Sequence, residues 1–360
     1  MSAEARRGRI AEIVQTARSK PARLRDERIT MAHGAGGKAT AALIEGVLLP
    51  AFASEALDEL ADAGAVEAGG AQLAMTTDSF VVKPISFPGG SIGELAVNGT
   101  VNDLAVSGAR PRAISLSLIL EEGLEAGVLR AEVDAIARAA VAAGVEIVTG
   151  DTKVVERGHA DQLYICTTGI GERDRRARLT PAGLRPGDRV LVSGPIGAHG
   201  MAIMLARGEF ELQAPIVSDT ASLWPAADAL LEAAGADLHC MRDATRGGVA
   251  SALNELARTS AVGVLLREGD VPVEPAVAAA AELLGIDPLY VASEGRLAAF
   301  VAPDCAGEAL AALRAVPGCA QAADVGEVRD GPPGMVLVDT GFGGERVLDM
   351  LAGDPLPRIC

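Results

Sequence analysis

Apolar and polar positions alternate along this chain between strand-like runs and helix-like spacings, beginning after a polar, basic start. A glycine loop, His33-Gly34-Ala35-Gly36-Gly37-Lys38, opens a helical pattern that runs to about Phe52. The run from Ala71 to Thr77 reads as a strand ending in Asp78. Ser91-Ile92-Gly93-Glu94 reads as a capping box opening a helix that carries Asn98, Asn102 and Asp103 and stops near Gly108. Strands are predicted over Ile114 to Leu120, Val145 to Thr149 and Gln162 to Gly169, with a helix over Glu125 to Ala143. Such alternation makes one α/β domain.

A charged stretch from Glu172 to Gly187, holding Pro181, Gly183, Pro186 and Gly187, reads as a linker. The second α/β domain is expected to use strands over Arg189 to Ser193, Val262 to Arg267, Arg296 to Val301, Val325 to Val328 and Met335 to Val338. From Gly353 the chain reads Gly-Asp-Pro-Leu-Pro-Arg-Ile-Cys, and two prolines so close cannot sit in a helix interior. An extended, mobile tail is predicted. The expected division is residues 1–30 as a basic extension, 31–175 and 176–345 as two domains, and 346–360 as the tail.

Composition narrows the function classes. Asp plus Glu number 48 against 32 Lys plus Arg, and a net charge of −16 repels nucleic acid and anionic membrane surfaces alike. No apolar stretch reaches the roughly 20 residues that a spanning helix needs. The five cysteines include no Cys-x-x-Cys pair and are odd in number, which argues against a disulfide framework or a structural zinc site and fits a reducing cytoplasm. Eight basic residues between Arg6 and Arg28 are not followed by an apolar segment, so no secretory signal is supported.

Several motifs carry candidate chemistry. Asp78, Asp103 and Asp151 are placed at or beside strand ends, the edge where open α/β sheets bind ligands, and separated carboxylates there suit a nucleotide-bound Mg²⁺. Capping of turns is the competing reading for each. Lys153, beside Asp151 and Thr152, could neutralise a transferring phosphoryl group. The glycine loop lacks the Walker A pattern, because residues 32 and 39 are alanines, but Gly36, Gly37 and Lys38 could still close over phosphates. Asp243-Ala244-Thr245-Arg246-Gly247-Gly248 precedes a helical run, where glycines admit an anion and Arg246 can donate two hydrogen bonds. Glu294 is a candidate base and His33 a second. His239 and Cys240 lack further ligands at zinc spacing and read as packing. Cys360 ends the chain, and the seven steps from Gly353 can carry its thiol ~23 Å.

Taken together, His33-Gly34-x-Gly36-Gly37, Thr77-Asp78-Ser79, Phe87-Pro88-Gly89-Gly90, Asn102-Asp103-x-Ala105-Val106-Ser107-Gly108, Gly150-Asp151-Thr152-Lys153-Val154-Val155, the Asp243 to Gly248 motif and the closing Pro357-Arg358-Ile359-Cys360 resemble the hydrogenase maturation factor HypE. The resemblance runs from about His33 to the end. The Asp-rich motifs alone match the wider superfamily of aminoimidazole ribonucleotide synthetase, selenophosphate synthetase and thiamine-phosphate kinase. The closing cysteine motif singles out HypE.

The resemblance implies a two-domain aminoimidazole ribonucleotide synthetase-like α/β fold and a homodimer whose N-terminal sheets join into a barrel. It implies ATP bound at Gly36, Gly37, Lys38, Asn102, Thr152, Asp243, Arg246 and Gly247, with Mg²⁺ on Asp78, Asp103 and Asp151. It further implies a HypF-like carbamoyltransferase that loads Cys360 and a HypC–HypD-like complex that accepts cyanide onto iron for a nickel–iron hydrogenase. On this reading the enzyme dehydrates S-carbamoyl Cys360 to a thiocyanate, using Lys153 and either Glu294 or His33. The alternatives are a superfamily kinase or synthetase acting on a free small molecule and a nucleotide-binding scaffold without turnover. The basic extension has no counterpart in the family pattern.

Overall fold

The structure is a computed structural model that describes residues 24, 26–52, 55–208, 212–351 and 360. Most of the basic extension and residues 352–359 of the expected tail therefore lie outside the described residues.

The glycine loop leads into α1, which runs as Lys38–Leu43, a π turn at Ile44–Leu48 and Leu49–Phe52, so the predicted helix forms with one widened turn. The first domain is then a five-stranded sheet ordered β1-β2-β7-β5-β6, from β1 (Gly64–Ala68), β2 (Ala71–Phe80), β5 (Ala109–Glu121), β6 (Glu146–Val155) and β7 (Leu163–Arg173). A small hairpin, β3 (Ser86–Phe87) with β4 (Gly90–Ser91), precedes α2 (Ile92–Val106). α3 (Ala126–Ala143) links β5 to β6, which pair in parallel as a crossover through a helix requires.

α2 is buried on nearly every side, with Ile92, Leu95, Val101 and Leu104 fully enclosed, each worth roughly 1.5–3 kcal/mol of burial. Its predicted capping box does not form. Ser91 makes no side-chain cap, and the Gly93 N–H instead donates to the Glu132 carboxylate of α3 at 3.0 Å. A buried helix start can recruit its acceptor from a packed neighbour as readily as from its own sequence.

The second domain is a seven-stranded sheet in the order β14-β13-β10-β12-β8-β11-β9. Its strands are β8 (Arg189–Val192), β9 (Leu238–Asp243), β10 (Gly263–Arg267), β11 (Leu297–Val301), β12 (Ala323–Arg329), β13 (Met335–Asp339) and β14 (Glu345–Leu348). Helices α5 (Trp224–Ala234), α6 (Gly248–Thr259) and α8 (Ala306–Ala315) pack on it, while α4 (Ala198–Ala206) and α7 (Pro275–Leu284) join the apolar cluster that includes Phe80, Phe87 and Ile92 of the first domain.

Two strands of this second sheet escape sequence reading, as do β1 and the β3–β4 hairpin of the first domain. β9 is buried at every position, so it shows no alternation, and its His239 and Arg242 disguise it. β14 pairs antiparallel with β13 across residues expected in the tail. Among the described residues no helix is long and apolar enough to cross a membrane.

Candidate active site

β2, α2, the end of β9 and the segment before β11 converge on one cleft of about 360 Å³, within the range of small-ligand sites. Its lining includes Asp78, Asp103, Asp243, Arg246, Glu294 and Cys360. Asp78 sits inside β2 rather than at its end, because the strand continues to Phe80.

The carboxyl groups here are held against their chemistry. Burial, then the charges of Asp78, Asp243 and Asp62, pushes Asp103 well above the usual carboxylate range, with Thr76 Oγ1 donating to it at 2.6 Å. Burial likewise raises Asp78, partly relieved by the Thr100 hydroxyl, which donates at 3.3 Å. Asp243 is pushed up to about 8, again mainly by burial. Carboxylate oxygens of Asp62, Asp103 and Asp243 all lie within 4.8 Å of one another. Asp62, which carries no sequence signal, is brought there from the loop before β1 and is held by Arg242 of β9, which also binds Glu255 at 2.8 Å. Hard oxygen donors crowded together in this way form a set that suits a divalent ion.

Arg246 and Cys360 complete the cleft. The Arg246 Nε donates to the Cys360 Sγ at 2.8 Å, while its Nη1 donates to the Gly34 carbonyl at 3.0 Å. Burial pushes the Cys360 thiol up to about 11, against the pull of Arg246. Glu294 is 2% exposed and raised well above its ordinary value by burial, then by Asp243 and Asp219. Its Oε1 has no hydrogen-bond partner among the described residues.

Other predicted residues fall elsewhere. Asp151, Thr152 and Lys153 lie in the middle of β6, not after its end, and are exposed. Asp151 pairs in register with Ser117, Ser117 with Cys166, and Cys166 with Ser79, so three strand spacings, or ~14 Å, separate Asp151 from the Asp78 end of the row. One ion cannot bridge that gap within a single chain. The Asp151 carboxyl is lowered, first by the Lys153 ammonium, which donates to it at 2.6 Å.

Asn102 is fully buried and spends its amide on backbone: it donates to the carbonyls of Ala221 and Glu294 and accepts from the Leu223 N–H. It is a brace rather than a nucleotide contact, because none of its polar atoms faces the cleft unpaired. His33 is buried outside the cleft lining, accepting at Nδ1 from the Thr30 N–H, with its Nε2 3.3 Å from Asp26. Lys38 pairs with Asp349 at 2.7 Å. Gly36, in a left-handed conformation, packs on Arg246, and a Cβ at Gly37 would come within 2.8 Å of the Leu351 carbonyl. The loop thus seats the root of the tail. Gly247, at φ +74, caps α6, whose first turn it needs for the close approach of Ser251.

Comparison with known proteins follows this geometry. The N-terminal domain of AIR synthase related protein matches residues 60–173 and the C-terminal domain residues 185–339. The carbamoyl dehydratase HypE of Bradyrhizobium diazoefficiens is 48% identical over 94% of this chain and 97% of its own length. The chain belongs to the HypE carbamoyl dehydratases. Among solved HypE structures, one in a HypE–HypF complex is similar with a TM-score of 0.82 and 42% identity, covering 86% of this chain and 99% of that one. Another, HypE in complex with ATP, has a TM-score of 0.78 and 44% identity, covering 92% of this chain and all of the other. The two-domain α/β fold expected of the superfamily is the fold that HypE proteins and this chain share.

Proposed function

We propose that this enzyme dehydrates a carbamoyl group carried on its own Cys360, in the cytoplasm, to make the cyanide ligand of a nickel–iron hydrogenase. The observation that carries the reading is the Cys360 thiol itself, seated among Arg246, Glu294, Asp78 and Asp243 in one cleft. A HypE relative solved with ATP supports that nucleotide as the co-substrate, and one solved with HypF supports a HypF-like carbamoyltransferase as the loader. A HypC–HypD-like complex is the acceptor that the family resemblance implies.

The step follows from what an amide needs. The oxygen of S-carbamoyl Cys360 attacks the γ-phosphorus of ATP and ADP leaves. The nitrogen then gives up both protons as the carbon–oxygen bond breaks, leaving S–C≡N, ADP and inorganic phosphate. Asp62, Asp103 and Asp243, whose carboxylate oxygens converge, are the residues that would hold Mg²⁺, with Asp78 lining the same cleft, and the ion would neutralise phosphoryl charge. Glu294, buried in the same cleft as Cys360, takes one nitrogen proton and the departing phosphate the other. Arg246 orients the sulfur end of the substrate.

Asp151 and Lys153 enter through a second copy. β6 is an open edge strand with Val148 and Val154 exposed at 59% and 66%, a surface that invites pairing. A two-fold dimer across this edge, closing the N-terminal sheets toward a barrel, carries Lys153 of one copy to the cleft of the other.

The deciding experiment is the mass of the C-terminal peptide after incubation with ATP, carbamoyl phosphate and the carbamoyltransferase. Gains of about 43 Da and then about 25 Da on Cys360 are expected, from replacing the thiol hydrogen with CONH₂ and then CN. ATP turnover that ignores Cys360 would point to a free small-molecule substrate, and no turnover at all to a scaffold.

A further inference from the structure

Glu294 is the one acid in the cleft whose carboxyl tip is deeply buried, has an oxygen without a partner and yet must point at a substrate nitrogen. Its orientation has to come from its backbone. Five contacts fix that backbone. The Ser293 N–H donates to the Ala244 carbonyl at 2.8 Å, and the Ser293 hydroxyl accepts from the Gly197 N–H at 2.8 Å. The Glu294 N–H donates to Asp219 Oδ1 at 2.9 Å, and its carbonyl accepts from Asn102 Nδ2 at 3.0 Å and from the Ala221 N–H at 3.5 Å.

Two of these holders are side chains that the chemistry does not otherwise use. The Asp219 side chain is 4% exposed, and its second oxygen has no hydrogen-bond partner among the described residues, with Arg296 Nε 3.8 Å away. Burying a carboxyl this way is costly, and an apolar residue would fill the space more cheaply. Gly295 is required next to it, since a Cβ there would lie 1.9 Å from the Asp219 carbonyl. Asn102 reaches the same segment from the other domain and also grips Ala221 and Leu223, while Asn98, one turn earlier, donates to the Thr220 hydroxyl at 3.4 Å.

The geometry points to Asp219 and Asn102 as positioning residues that brace the Glu294 backbone from two sides and so aim its carboxyl into the cleft. Because Asn102 directly precedes Asp103 on α2, the same turn of helix sets the spacing between a candidate metal carboxylate and the base. Domain apposition is thereby converted into the aim of one side chain. This rests on the assignment of Glu294 as base.

The test is single-turnover dehydration of the full chain preloaded with carbamoyl on Cys360, followed by mass after adding Mg·ATP. Asp219→Ala is expected to slow conversion about 10- to 100-fold, the usual scale of a misaimed catalytic group, while ATP affinity and carbamoyl loading stay within about twofold. Asp219→Asn keeps an oxygen to accept the Glu294 N–H and is expected to restore the rate to within about threefold of the unmodified enzyme. Should Asp219→Ala not fold, Asn102→Ser removes the donor on the opposite side and carries the same expectation. Glu294→Gln separates the two levels of the argument. Full-rate conversion by Glu294→Gln overturns the base assignment. A slow Glu294→Gln with a full-rate Asp219→Ala overturns the brace alone, and so does loss of ATP affinity in parallel with rate in both Asp219 variants.

Discussion

β6 and the interdomain cleft both present aspartates, and they treat them in opposite ways. On β6 the Asp151 carboxylate is fully solvated and lowered by its neighbour Lys153, a pairing that water screens and that contributes little to stability. In the cleft Asp103 is enclosed among like charges and raised. The cleft is strained electrostatically and ready for a cation and a phosphate. The edge strand is relaxed and waits for another surface. Finding the two in one chain teaches that motifs of one family need not fold to one place: some meet in the cleft, while Asp151 and Lys153 stay on an exposed edge strand.

The sharpest break in this comparison comes at the cleft. Cys360→Ser keeps size and shape but loses the ionisable sulfur, so it is expected to bind ATP normally and yield no carbamoyl or cyano adduct. Adducts on Cys166, Cys240, Cys305 or Cys319 would reverse the assignment.

A mixing experiment tests whether the cleft of one copy works with Lys153 of the other. Asp103→Asn and Lys153→Ala are each expected to be inactive alone. Randomly exchanged dimers place one intact site in half of the molecules, so about a quarter of full activity should return. No recovery despite proven subunit exchange would put Lys153 to work in its own chain or nowhere.

A smaller effect follows from the Asp243 titration. Its value rises from an ordinary 3.8 to about 8 in the folded protein, so the stability it contributes is fully present at the low end and is lost as pH climbs through about 8. Asp243→Asn is neutral throughout. Without Mg²⁺, denaturant titrations should therefore show the variant gaining on the unmodified protein by roughly 1–3 kcal/mol between about pH 4 and 8, with Mg²⁺ reversing the trend. A flat difference would mean that Asp243 is ionised and already compensated.

The smallest effect is at the root of the tail. Lys38→Ala removes an ion pair whose partners are half exposed, so stability should change by less than about 1 kcal/mol, with ATP affinity little altered. A large loss of affinity would return Lys38 to the phosphates.

Much of this was legible in the chain. The β-α alternation of the first domain gave its sheet apart from β1, and Asp78, Asp103, Asp243, Arg246, Glu294 and Cys360, widely separated in sequence, do meet in one cleft. Three things were hidden for physical reasons. Asp62 is a loop residue whose importance exists only because Arg242 of a fully buried strand grips it. Asp219 grips backbone, which leaves no motif, and Asn102, although part of a motif and expected at the nucleotide, spends its amide on backbone instead. Asp151 reads as a strand-end ligand because Gly150 suggests a turn, yet the strand runs through it, its register with β5 shifting just upstream between Ile114 and Ser115.

The chain is fixed through Leu351: the Lys38 N–H donates to its carbonyl, Tyr290 donates to the Asp349 carbonyl and Asn254 to that of Leu348. Nine residue steps then separate Leu351 from Cys360, a reach of at most ~32 Å. A thiol confined within that radius is present at its own cleft at an average concentration on the order of 10 mM, in the range typical of short tethers. Weak contacts, such as the single Arg246 hydrogen bond, are then sufficient to seat it. Any partner that takes the thiol competes with that standing concentration, and must dock close enough to the root of the tail to meet it as a local reactant too.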